Sequence, residues 1–118
     1  MIAALGDGSY MFANPVACHQ IAAAHSLPVL TVVFDNAEWA AVRKATGGMY
    51  PQGHALKANR PSLISLEPAP HYHQVSAACG GWGERVADAA ELPKAIDRAR
   101  RDAARLQDRH GQRRLRHA

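Results

Sequence analysis

At 118 residues, 47% of them apolar, with nine Gly and seven Pro, the chain suits a single domain with a modest core. No apolar run nears the roughly 20 residues of a membrane span, no charged segment precedes the opening apolar run as in a secretory signal, and the isolated Cys18 and Cys79, without CxxC spacing, fit reduced thiols of the cytoplasm. The net charge of +4 excludes little about the domain itself, because residues 94–118 carry nine Lys/Arg against three Asp/Glu and residues 1–93 five against seven.

Met1 to Leu5 reads as a first strand, closed by Gly6-Asp7-Gly8-Ser9. Asn14 to Ser26 is Ala-rich and of helical length, and Pro28 to Phe34 is a second strand, closed by Asp35-Asn36. Runs rich in branched apolar residues on either side of a helix predict buried parallel strands. Ala37 to Ala45 suits a short helix broken by Thr46-Gly47-Gly48. Met49 to Pro61, with two Pro and one Gly, reads as an irregular excursion over the sheet, in which Met49 and Tyr50 either line a substrate mouth or pack as plain loop. Ser62 to Leu66 is a third strand candidate. Tyr72 to Cys79 is a helix with Val75 and Ala78 facing inward, stopped by Gly80-Gly81 at its C-terminal cap. Trp82 to Val86 reads as a short fourth strand. Glu91 to about Leu106 is a helix with Leu92, Ile96, Ala99 and Ala103 at helical spacing. Alternating strands and helices predict an α/β fold: a three-layer domain with a central, mostly parallel sheet flanked by helices. It should occupy residues 1–99. Residues 100–118, Arg-rich and without aromatics, are expected to be a disordered basic tail.

The chemistry converges on two strand ends. In a strand-helix-strand unit, ligands bind beyond the carboxyl ends of the strands, where Asp7 and Asn36 fall. A carboxylate and an amide oxygen there suit a hard divalent cation such as magnesium, which keeps phosphate oxygens among its ligands. An Asp-Gly turn after a strand is the plain alternative for Asp7. The seven histidines offer no metal pattern: His19 and His25, six apart, do not share a helix face, and His71 and His73 flank Tyr72. They read as surface residues, and Cys18 and Cys79 as core packing.

Gly6-Asp7-Gly8, separated by residues 9–34 from Asp35-Asn36, resembles the signature of thiamine-diphosphate-dependent enzymes. The likeness extends to Gly-Asp-Gly-Ser-Tyr-Met-Phe at 6–12, to Trp39, to His71–Val86 (HYHQVSAACGGWGERV) and to Glu91–Ile96 (ELPKAI). Over about residues 1–99 the chain is similar to the C-terminal cofactor-binding domain of the acetolactate synthase and benzoylformate decarboxylase branch.

The resemblance implies a magnesium ion held by the Asp7 carboxylate, the Asn36 amide and the Glu38 backbone carbonyl, with diphosphate oxygens and water completing its shell. Gly6 and Gly8 would then allow a tight turn and close approach of the diphosphate, and Ser9 would meet phosphate oxygens at a helix start. Asp35 stands at the first position of the family's usual Asn pair, which makes it a supporting or turn residue, or a replacement ligand. The implied activity is decarboxylation or condensation of a 2-oxo acid in a homodimer or tetramer. The family's activating glutamate belongs to a domain that these 118 residues do not include, which implies a fragment. The other reading is a non-catalytic remnant or binding module whose basic tail meets nucleic acid by charge. Without aromatics for base stacking in that tail, nucleic-acid binding is not expected.

Overall fold

The computed structural model describes residues 1–59 and 62–115. In chain order the elements are β1 (Ile2–Gly6), α1 (Asp7–Phe12), α2 (Pro15–Ala24), β2 (Leu30–Phe34), α3 (Ala40–Met49), α4 (His54–Lys57), α5 (Tyr72–Ala78), a 3-10 turn (Ala89–Glu91) and α6 (Leu92–Leu115). The fold is α/β, with a parallel sheet flanked by helices. β1 and β2 pair from Ile2 opposite Leu30 to Gly6 opposite Phe34. That register brings the next residues, Asp7 and Asp35, out of the sheet side by side.

The crossover between the strands holds two helices. α1 begins directly at Asp7, and α2 begins at Pro15, whose fixed φ suits a first helical position, after Asn14 in the left-handed region at φ 54°. At the end of α2, Ser26 adopts φ 54°. Its N–H reaches Ala23 O at 3.2 Å, and the Leu27 N–H reaches Ala22 O at 2.8 Å, a Schellman closure with serine in the usual glycine place. α5 closes in the same way: Gly80 takes φ 81°, with its N–H on Ala77 O and that of Gly81 on Ser76 O, both at 3.0 Å. Here the glycine cap predicted from Gly80-Gly81 is found.

Four expectations change. The strands are parallel but not buried: β2 is half-buried along Leu30–Val33, and Ile2 and Phe34 are 69% and 61% exposed. Among the described residues the sheet has these two strands, with α1 against both and α6 against β2. Ser62 to Leu66 forms no strand. It makes one antiparallel bridge, Ser65 with Glu38, because the stretch it meets is a turn. Trp82 to Val86 is irregular, and Gly83 lies against the backbone carbonyl of His73 so closely that no side chain would fit. Finally, α3 runs through Gly47 and Gly48 to Met49, since an interior glycine costs a helix only about 1 kcal/mol and Gly47 is packed by Leu56.

The excursion after α3 contains the single turn of α4; Arg60 and Pro61 lie outside the described residues. α6 carries its apolar stripe as expected from the spacing, with Ala95 and Ala99 buried and Leu92, Ile96 and Ala103 half-buried; it packs on β2. Its backbone continues through residue 99 to Leu115, while residues 116–118 lie outside the described set. A two-pronged ion pair, Arg98 Nε to Glu84 Oε2 at 2.9 Å and Nη2 to Oε1 at 2.5 Å, ties α6 to the segment after α5. No helix among the described residues is long and apolar enough to cross a membrane. Among the described residues, the buried apolar side chains include Tyr10, Ile64, Tyr72, Ala95 and Ala99, so much of the core gathers around the start of α1 and the face of α6.

Candidate functional site

Asp7 is the most informative side chain of the molecule. It is 2% exposed, the sole buried charged residue among those described, and a carboxylate is buried at high cost unless its oxygens are satisfied. They are: Oδ1 accepts from the Gly8 N–H at 2.8 Å and Oδ2 from the Asn36 N–H at 3.3 Å. One carboxylate therefore stitches the end of β1 to the end of β2. As the first residue of α1 it also sits where a negative charge is favoured by the helix dipole.

Of the glycines around it, Gly8 serves space, whereas a side chain at Gly6 would meet only Phe34 O at 4.0 Å. Gly6 is extended (φ −74°, ψ 158°) and Gly8 is helical, so neither takes the turn conformation expected of them. At Gly8 an added Cβ would lie 2.7 Å from Trp39 Cε3, and the indole ring therefore rests directly on the α1 backbone. Ser9 is exposed in the first turn of α1.

The β2 end is built differently. Asp35 Oδ1 accepts from the Ala37 N–H at 3.1 Å and Asn36 Oδ1 from the Glu38 N–H at 3.2 Å, two successive Asx turns that carry Ala37 to φ 56°. Both side chains are exposed. The Glu38 carboxylate pairs with Arg43 at 3.1 Å, and Arg43 also donates to Asn59 Oδ1 at 3.4 Å. The Glu38 carbonyl accepts from the Ala40 N–H at 2.9 Å. Asn36, Glu38, Arg43 and Ser65 line an open polar depression of about 700 Å³.

The structure thus gathers Asp7, Gly8, Asn36 and Glu38 at one edge of the sheet, with Gly6 and Ser9 flanking. Their free acceptors fit a hard cation. Each Asp7 oxygen, the Asn36 amide oxygen and the Glu38 carbonyl takes one hydrogen bond and has a lone pair left. An all-oxygen set of one carboxylate, one amide and one carbonyl suits magnesium better than zinc. Among the described residues, no group of three or more His, Cys, Asp or Glu is placed to hold a metal.

Sequence reasoning missed the layer behind Asp7. Tyr10, three residues on and on the same face of α1, is buried. Its hydroxyl meets His19 Nε2 at 2.7 Å, and its ring meets Tyr72 edge-on at 5.6 Å. His19 is therefore half-buried and partnered, not a surface residue, and burial lowers its pKa. Burial raises the Tyr10 pKa, with the nearby Cys79 and Cys18 adding to it. The Tyr72 pKa is raised by burial first and then by the charges of Asp7 and Asp35. The Tyr72 hydroxyl is buried and has no hydrogen-bond partner. Tyrosines set among apolar residues were the available signal, because a buried phenol needs a partner. The cysteines are not core residues either. Both are free thiols; Cys18 is exposed with its Sγ 3.2 Å from Ala13 O, and the half-buried Cys79 points at Val16 O at 3.7 Å. In α5, Val75 is half-buried but Ala78 is exposed, and the inward residue is Tyr72.

The family model described as thiamine pyrophosphate enzyme, C-terminal TPP binding domain, matches residues 1–107. No curated protein and no solved structure matches the chain. The family match takes in both strand ends, the Trp39 contact and the Tyr10–Tyr72 layer, and the chain belongs to the thiamine pyrophosphate enzymes as a C-terminal domain that binds thiamine diphosphate.

Proposed function

We propose that the chain holds thiamine diphosphate through a divalent cation, magnesium, at the joined ends of β1 and β2. Asp7 contributes a carboxylate oxygen, Asn36 its amide oxygen and Glu38 its backbone carbonyl. Gly6 and Gly8 let the diphosphate come close to the backbone, and Ser9 offers a hydroxyl at the opening of α1. The observation that carries this reading is the Asp7 carboxylate, buried yet spanning from Gly8 N to Asn36 N, which holds the acceptors of two strand ends in one place. Asp35 is read as the turn residue beside Asn36, its Oδ1 accepting from the Ala37 N–H.

When bound, the cofactor supplies the nucleophile and electron sink for work on a 2-oxo acid. The chain's own residues supply binding and orientation: oxygen ligands at fixed strand ends, and the Trp39 ring over Gly8. In this reading the chain acts within a decarboxylase or acetolactate-synthase-like enzyme, a cytoplasmic homodimer or tetramer, in which a further domain provides the activating glutamate. The two free thiols are in keeping with a reducing compartment.

Titration calorimetry with thiamine diphosphate tests the reading. Saturable binding in the presence of magnesium, lost on chelation, supports it. No binding at millimolar cofactor with magnesium present would sink it for this chain.

A further inference from the structure

Leu63 is the least expected side chain at the edge of the site. Its backbone lies in the left-handed region at φ 61°, where a residue with a Cβ is strained. The other non-glycine residues of positive φ among those described are Asn14, Ser26, Ala37 and Asn59, all small or able to bond locally through a short polar side chain. Leu63 is the one large apolar residue of that set, and packing does not offset its strain. It is 96% exposed, more than any other large hydrophobic residue among those described. Strain of this kind, without a structural return, collects where ligands are gripped.

Its position ties Leu63 to the site. It lines the depression of about 700 Å³ that also takes in Asn36 and Glu38, a volume suited to a small molecule. The stretch is fastened there on both sides of Glu38: the Trp39 N–H donates to Ile64 O and the Leu66 N–H to Ala37 O, each at 2.8 Å. Ile64 is 5% exposed, so it anchors the stretch while the neighbouring leucine stands at the surface. Asn36, Glu38, Arg43 and Ser65 make much of the remaining wall polar. With Ile64 buried, Leu63 is the large apolar surface that the depression presents.

We propose that Leu63 is a further binding residue of this site, packing against the ring-bearing part of the thiamine diphosphate whose phosphates are held through the cation. The inference rests on the reading of the site given above. It adds an apolar contact to a set otherwise made of oxygen ligands, and it gives the exposed leucine and its strained backbone one cause.

Leu63→Gly and Leu63→Asn in the full chain both remove the apolar surface and suit a left-handed backbone, whereas Leu63→Met keeps the surface. At saturating magnesium, thiamine diphosphate should bind the first two about five- to tenfold more weakly than wild type, and Leu63→Met within about twofold of it. Inorganic pyrophosphate with magnesium, which has no ring to contact, should bind every variant as it binds wild type. Without ligand, Leu63→Gly and Leu63→Asn should melt above wild type, because the strain is gone. A lower melting temperature in both, or an equal loss with pyrophosphate, means that Leu63 shapes the depression without touching the ligand, and overturns the proposal. A loss in Leu63→Met as large as in Leu63→Gly does the same. So does unchanged affinity for thiamine diphosphate in all three variants of a wild type that binds it, the result expected if Leu63 meets another chain instead. Failure of the wild-type chain to bind either probe overturns the underlying reading and this one with it.

Discussion

The two strand ends that make up the site are held by opposite means. At the β1 end, Asp7 and Gly8 are buried, backed by Trp39 and the Tyr10–Tyr72 contact, and Asp7 reaches across to the other strand. At the β2 end, Asp35 and Asn36 are exposed and are shaped by two local Asx turns. One end is fixed by tertiary packing and the other by its own short-range hydrogen bonds. A cation ligand at the first is preorganised but is also part of what keeps the sheet ends together; one at the second is accessible and nearly dispensable to the fold. Loss of binding on changing Asp7 would therefore mix two effects that Asn36 keeps apart.

The largest effect should come from Asp7→Ala. It leaves the Gly8 and Asn36 N–H groups without their acceptor, at a cost of roughly 2–4 kcal/mol, seen as a lower denaturation midpoint without any ligand. A midpoint unchanged from wild type would break the contrast between the two ends. Gly8→Ala comes next. Its Cβ would have to displace the Trp39 ring, 2.7 Å away, and overpacking of this kind costs about 1–3 kcal/mol; tryptophan fluorescence should report the displaced ring. Asn36→Ala removes one exposed turn bond and should lower stability by less than about 1 kcal/mol, measured by the same denaturation.

Acid should weaken the layer behind the β1 end. Burial lowers the pKa of His19, so below about pH 6.5 the unfolded chain takes up the proton more readily than the folded one. The stability from neutral His19 is complete above that pH and declines as pH falls through the window beneath it. Denaturation at a series of pH values should show this slope in wild type and a flatter one in His19→Gln. An identical slope in the variant would mean that the Tyr10–His19 pair does not support this end.

These contrasts also mark what could be seen in the sequence. Asp7 and Asn36 were legible because apolar runs that end in polar residues place those residues at a sheet edge, and parallel pairing follows from the helix between the runs. The caps at Gly80-Gly81 and the stripe of α6 were legible for the same reason, being local rules of backbone and spacing. What stayed hidden was set by long-range contact. Gly8 serves a ring 31 positions further along, and Tyr10, His19 and Tyr72 become one layer only when α1, α2 and α5 pack. Ser62 to Leu66 has strand composition but meets a turn and forms a single bridge. Composition alone could not reveal which partner it would find.

The affinity for thiamine diphosphate at saturating magnesium, compared between the wild-type chain and Asn36→Ala, tests the central claim most directly. Ligand-free melting curves establish that the two are equally folded. The account predicts a melting point only slightly below that of the wild type, from the lost turn bond, and at least about tenfold weaker binding by the variant, the loss of about 1.4 kcal/mol expected when one oxygen ligand is removed. Equal affinity in two equally folded chains would show that the β2 end does not hold the cation, and would contradict it.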